Sequence, residues 1–171
     1  MTLLEIIKGR RSIREFLKKE IPLDVIEKLI EAIIWAPSAG NLQSRFFYFV
    51  FNADIKRRLA SAALDQGFIA SAPLSVVGCC DYRIRQRYGK RGEELYTIQD
   101  VASSIQNFML LAYEQGLGSV WVGAFIEEQV IKILNIPAHL RPVAIVPIGY
   151  PDEEPIPPPR VSKEITIKII K

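Results

Sequence analysis

The chain has 171 residues, 49% of them hydrophobic and 24% charged, with a formal net charge of +3. This composition excludes a disordered polymer and is that of a soluble globular chain, long enough to bury a sizeable core as one domain over residues 1–171. The small net charge gives no ground for nucleic acid as a partner, and no apolar run nears the roughly 20 residues that a membrane span requires.

In Thr2-Leu3-Leu4-Glu5 a hydroxyl and a carboxylate stand at the spacing of a capping box, which predicts a short helix to about Lys8. The basic residues of MTLLEIIKGRRS follow the apolar ones, the reverse of a secretory leader, so a cytoplasmic protein is expected. Leu23 to Trp35 places Val25, Ile26, Leu29, Ile30, Ile33 and Ile34 on one helical face, and Ala36-Pro37 ends the helix. Phe46 to Phe51 reads as a buried strand, Asp54 as the cap of a helix to about Leu64, and Leu74 to Cys80 as a second buried strand. The longest helical pattern runs from Ile98 to Gln115, with Gly116 placed to end it in a left-handed conformation.

Val120 to Val122 is predicted as a strand, Glu127 to Leu134 as a short helix and Val143 to Ile148 as a further strand. Beyond Tyr150 the segment PDEEPIPPPR fits neither helix nor central strand and is expected to run extended, leading to a last strand at Ile165 to Ile170. This irregular alternation implies an α+β fold, a mixed sheet flanked by helices. A strand at the end of so long an arm, residues 150–171, is placed to complete the sheet of a second copy in a swapped homodimer.

Cys79 and Cys80 are neighbours in an apolar strand and point to opposite faces, so they read as small core residues and not as a disulfide. His139 is the only histidine, is read as a surface residue, and with two thiols makes no metal set. Asp81 to Arg91 carries five basic residues and two tyrosines. It reads most plainly as a mobile, solvated lid loop, and otherwise as a surface for an acidic substrate, for the phosphates of NAD(P)H or for nucleic acid.

Four polar clusters interrupt the apolar pattern. Arg10, Arg11, Ser12 and Arg14 offer guanidinium groups and a hydroxyl within five residues, a set suited to an anion with several oxygens, or else a solvated basic turn. Pro37, Ser38, Ala39, Gly40, Asn41 and Gln43 join small residues to amide side chains, suited to a flat heterocycle, or else to an ordinary helix stop. Gly123 and Ala124 lie between a strand and a helix, where a backbone N–H can face a ligand, whereas Gly116-Leu117-Gly118 lacks the full dinucleotide fingerprint. Arg160 in the proline arm is a second candidate for a phosphate.

In RRSIREF (10–16), APSAGNLQ (36–43), IQDVASSIQNFMLLAYEQGLGSVWVGAF (98–125) and IGYP followed by PPPR (148–160), the chain resembles the nitroreductase superfamily of FMN enzymes. The resemblance implies a homodimer with two FMN sites built from both subunits, using NAD(P)H to reduce an electron-poor acceptor such as a nitroaromatic or a quinone. It implies that Arg10, Arg11, Ser12 and Arg160 hold the phosphate and ribityl chain, and that Arg14 and Gln66 face the pyrimidine edge. Pro37, Ser38, Ala39 and Asn41 would come from the partner subunit, and Gly123 and Ala124 would address flavin N5. The flavin carries the redox step, so no catalytic side chain and no metal is implied. Ser44-Arg45 stands where many relatives have Pro-Trp, and the region between the second strand and the long helix is short. Reductive dehalogenation, flavin fragmentation and azoline oxidation within the same superfamily, a non-catalytic flavin sensor, and an RNA- or DNA-binding module using residues 82–91 are the alternatives.

Overall fold

Four strands, β1 (Arg45–Val50), β2 (Leu74–Asp81), β3 (Gly118–Ser119) and β4 (Leu140–Gly149), form one antiparallel sheet in the order β1-β2-β4-β3. In this computed structural model, which describes residues 1–171, β2 is buried at every position because helices cover both faces of the sheet. Leu74, Val76 and Cys80 face one layer of core, and Val77 and Cys79 the other. On β4 the pairing shifts where Gly78 faces Ala144 and Cys79 faces Pro142. The extra residue, Val143, reverses the alternation, so Ala144, Val146 and Ile148 share one layer while Leu140 joins Ile145 in the other.

The first layer is made by α2 (Leu23–Ile34) and α6 (Thr97–Glu114). Ile26, Leu29 and Ile33 of α2 pack with Val101, Ile105, Phe108 and Met109 of α6, as their helical spacing requires. Gly116 follows α6 with φ of 76°. The second layer is made by α3 (Ala53–Ala62) and α7 (Glu127–Leu134). At the N-terminus, α1 (Leu3–Gly9) carries the capping box in both directions, Thr2 N–H donating to Glu5 and Glu5 N–H to Thr2. A short turn of helix, α4 (Phe68–Ser71), precedes β2.

Four expectations need correction. Asn52, not Asp54, caps α3, its side-chain oxygen accepting from the Asp54 and Ile55 N–H groups at 2.9 and 3.0 Å. The strand expected at Val120 to Val122 begins two residues earlier. Val120 faces Pro147, which has no N–H to return a bond, and the ladder resumes only at the Val122–Ile145 bridge. Residues 82–96 are not a solvated loop. They form a 3₁₀ turn at Tyr82–Ile84, then α5 (Arg85–Arg91), then a π turn at Gly92–Tyr96 leading directly into α6. Their charges are largely paired, Arg83 with Asp81, Arg85 with Glu93 at 2.8 Å and Lys90 with Glu94 at 3.3 Å. At the C-terminus a single helical turn, α8 (Lys163–Thr166), replaces the start of the expected strand; from Ile156 onward the arm is exposed throughout and pairs with none of the four strands.

No helix is long and apolar enough to cross a membrane. Cys79 and Cys80 are free and fully buried, and burial pushes the two thiols up to about 12 and about 11. Both therefore remain protonated and inaccessible at neutral pH. A thiol reagent such as DTNB is expected to label none of the native protein at pH 8 and two thiols per chain in urea; rapid labelling without denaturant would contradict the packing of β2.

Candidate functional site

The segment after α1 does not leave the body. Arg10 N–H closes α1 on the Ile6 carbonyl, Ser12 bridges Ser119 of β3, and Ile13 N–H donates to the Ser119 carbonyl at 3.1 Å. Ile13 and Phe16 are buried, which turns Arg10, Arg11 and Arg14 to the other side. There they line a cavity of about 320 Å³ with Ser12, Pro155, Ile156, Pro158 and Arg160. The proline arm thus folds back to bring Arg160, 150 positions away in sequence, to the first arginine cluster.

No carboxylate lines this cavity. Arg11 donates to the Lys8 and Arg10 carbonyls at 2.7 and 2.8 Å, and Arg160 to those of Pro158 and Pro159 at 3.2 Å each. The Arg10 Nη1 atom is buried without any hydrogen-bond partner. Burial first, then the like charges of Arg11 and Arg160, push the Arg10 pKa down. A buried donor on an uncompensated cation is costly unless a negative group meets it. The cavity therefore has the chemistry of a receptor for an anion with several oxygens. Glu153 and Glu154 line a neighbouring cavity that shares Arg11 and Pro155, and Glu153 accepts from the Arg14 and Glu15 backbone N–H groups.

Farther along the same sheet edge, the Arg14 guanidinium lies over the Phe68 ring at 6.0 Å. Phe68 follows Gln66 by two residues, and the Gln66 carboxamide donates to the Ala63 and Ala124 carbonyls at 2.8 and 3.2 Å. Arg14, Gln66, Gly123 and Ala124 are so drawn together. The Gln66 donors face protein carbonyls, which leaves its oxygen as the group available to a ligand. Gly123 and Ala124 are exposed, their N–H groups have no acceptor in the chain, and a side chain at Gly123 would meet nothing within 4 Å. The flanking Glu127 and Arg141 form a two-toothed pair at 2.7 and 2.8 Å that fixes the start of α7 on β4.

The third cluster lies elsewhere. Ala39 to Asn41 form a 3₁₀ turn after α2, and the Ala39 N–H donates to Asp100 Oδ1 at 2.9 Å. Arg45 donates to the Ile34, Ala36 and Pro37 carbonyls at 2.9 to 3.1 Å, and Ser103 Oγ to that of Pro37 at 3.0 Å. Ser38 accepts from the Gln43 N–H, and Asn41 is exposed. Asp100 sits in the first turn of α6, whereas Tyr113, near its other end, packs on Gly9 beside the arginine segment. Thirteen residues of helix separate them, about 20 Å. Within one chain, Pro37, Ser38, Ala39 and Asn41 do not meet the other candidate residues.

Arg45 and Asp100 escaped the sequence reading. Arg45 was visible only as an unusual neighbour of the second cluster, and Asp100 as one polar residue on an amphipathic helix. No group of three or more His, Cys, Asp or Glu side chains is placed to hold a metal ion.

Fold and site together define an α+β protein with an acid-free arginine pocket at one end of its sheet edge and unpaired backbone donors at the other. The chain belongs to the nitroreductase family, whose model matches residues 7–87 and 66–150. It is 31% identical over 186 residues to the NADH dehydrogenase of Thermus thermophilus, covering 91% of this chain and 89% of that one. It is 30% identical over 172 residues to the NADPH-flavin oxidoreductase of Vibrio harveyi, covering 96% and 72%. Among solved structures, nitroreductase A from Vibrio parahaemolyticus superposes with a TM-score of 0.91 at 26% identity, covering 100% of this chain and 77% of that one.

The Glu127–Arg141 pair gives a pH prediction. Its hydrogen bonds hold the Glu127 carboxyl below the usual glutamate range, against a smaller opposing effect of burial. Because the folded value is depressed, the stabilisation is present above the usual glutamate range and lost as pH falls through the depressed value. Glu127→Gln is expected to lower the urea midpoint at pH 7, with the two proteins converging in acid. A gap that persists unchanged at pH 3 would contradict an ionic role for the pair.

Proposed function

We propose that the chain is an FMN-dependent oxidoreductase that passes electrons from NAD(P)H to an electron-poor acceptor, with a nitroaromatic or a quinone as the acceptor class. The observation that carries this reading is the buried, unpaired Arg10 Nη1 in a pocket holding Arg11, Arg14 and Arg160 and no acid. A phosphate monoester, carrying about −1.5 to −2 charge, supplies the oxygens and the charge that this pocket lacks. The names of the Vibrio harveyi and Thermus thermophilus relatives point to the same chemistry.

On this reading Arg10, Arg11, Ser12 and Arg160 hold the phosphate and ribityl chain. Arg14 faces the pyrimidine edge, where its fixed positive charge favours the reduced, anionic form. Gln66 offers its free oxygen to a ring N–H at the same edge. The unpaired N–H groups of Gly123 and Ala124 address N5, which a backbone donor can orient without itself titrating. The flavin, when bound, supplies the hydride chemistry, and the chain binds, orients and excludes water.

Pro37, Ser38, Ala39 and Asn41 lie about 20 Å of helix away from this set, so they serve the site of a second subunit in a homodimer. The C-terminal arm supports that arrangement. Ile165, Ile167, Ile169 and Ile170 are 79, 60, 74 and 86% exposed, a row of apolar side chains that a partner would cover.

The direct test is an absorption spectrum of the purified protein after loading with FMN, followed by anaerobic addition of NADH or NADPH. The reading expects about one flavin per chain, bleached by the nicotinamide and restored by menadione or nitrofurazone. A protein that holds FMN but is not bleached would be a sensor, and one that holds none would overturn the proposal. Arg14→Ala is expected to weaken FMN binding by on the order of tenfold, the loss of one charge-assisted contact, and to lower the reduction potential; unchanged values for both would remove Arg14 from the pyrimidine edge. Removal of residues 161–171 should shift the dimer toward monomer in sedimentation, and a truncated chain that stays fully dimeric would contradict the arm's role.

A further inference from the structure

Two glycines pack on one tyrosine in the segment that precedes α6, and a third follows it in the chain. An added Cβ at Gly40 would collide with the Tyr88 hydroxyl oxygen, and one at Gly92 would lie 2.8 Å from the Tyr88 Cβ. Gly89 follows at φ 55° and ψ −149°, a conformation essentially closed to other residues, which breaks α5 directly after Tyr88. The Tyr88 ring is further held edge-on to Tyr96 at 5.4 Å, and the Tyr96 hydroxyl accepts from Arg91 Nε at 3.0 Å. The phenol is thus seated from below, from behind and from the side.

Its hydroxyl makes no hydrogen bond within the chain, although the ring is half-buried. A packed tyrosine normally finds a partner for that group. The group stands over Gly40, in the middle of the Ser38–Asn41 loop.

We propose that Tyr88 is a specificity-determining residue of the acceptor cleft: it closes the cleft above the Ser38–Asn41 loop and donates a hydrogen bond to a rim oxygen of a planar acceptor, a quinone above all. This rests on the reading of that loop as one wall of a flavin site. In the net reaction NAD(P)H and one proton reduce the quinone to its hydroquinone, and Tyr88 keeps its own proton throughout.

Tyr88→Phe removes only the hydroxyl and keeps the ring between Gly92 and Tyr96. The experiment compares FMN-loaded wild type and Tyr88→Phe with menadione, whose oxygens can accept the bond, and with ferricyanide, an outer-sphere acceptor that needs none. The ratio of kcat/KM for menadione to that for ferricyanide is expected to fall about five- to tenfold, the loss of one hydrogen bond, carried mainly by KM for menadione. A ratio unchanged within twofold, or loss of FMN from the variant, would overturn the role given to Tyr88. A wild-type protein that holds no FMN would instead overturn the flavin reading on which it rests, so the two failures are distinct.

Discussion

The arrangement depends on one unfavourable contact, the packing of Arg10 beside Arg11 and Arg160 with a buried guanidinium nitrogen left unpaired. A guanidinium nitrogen buried beside like charges raises the energy of the folded chain unless something else supplies the negative charge. No carboxylate lines the pocket: the carbonyls of residues 8, 10, 158 and 159 take up parts of Arg11 and Arg160, and Glu153 is turned to the backbone of Arg14 and Glu15. The rest of the fold keeps this contact in place. The Ser12–Ser119 bridge and the burial of Ile13 and Phe16 hold the arginine segment to the sheet, and the Leu17 N–H and Asp152 N–H groups tie it to the start of the proline arm.

From that pocket the same sheet edge leads to donors of a different kind. Gly123 and Ala124 lie where β3 pairing has been interrupted by Pro147 and has ended at Val122. Beyond the Val122–Ile145 bridge the pairing stops, which leaves these backbone donors free, with Arg141 and Glu127 holding the following helix so that the segment keeps its course. At the far end of α6, Asp100, Arg45 and Ser103 fix the opposite loop from both its N–H and carbonyl sides. On the proposed reading these two clusters, at opposite ends of one long helix, are half-sites that a symmetric pair would complete.

Much of this was legible in the sequence, for identifiable reasons. The helices at Leu23 and Ile98 declare themselves because burial on one face imposes a period, and Leu74–Cys80 because burial on both faces makes the run continuously apolar. Phe46–Phe51, expected as a buried strand, is instead the edge strand β1, with Val50 buried and Phe46 and Phe51 exposed. The arginine cluster and Arg160 were legible as chemistry, though their meeting was not, since it depends on the path of a proline arm. What escaped was tertiary. Asn52 outcompetes Asp54 as a cap by two positions. Residues 81–91 read as a solvated loop, yet form helical turns in which Arg83, Arg85 and Lys90 are paired with acids. Arg45 and Asp100 act through backbone groups of a loop far from them in sequence. The isoleucines at 165–170 carry a strand pattern, but a strand needs a partner edge, and within one chain this exposed segment pairs with none.

The most direct measurement is the affinity of the protein for FMN and for riboflavin, which differ only in the phosphate, by fluorescence quenching at low and high salt. If the Arg10 pocket is a phosphate receptor, FMN binds on the order of 100-fold more tightly than riboflavin, the scale of two charge-assisted hydrogen bonds, and the advantage narrows as salt rises. Equal affinity for the two at low salt would contradict the account at its base.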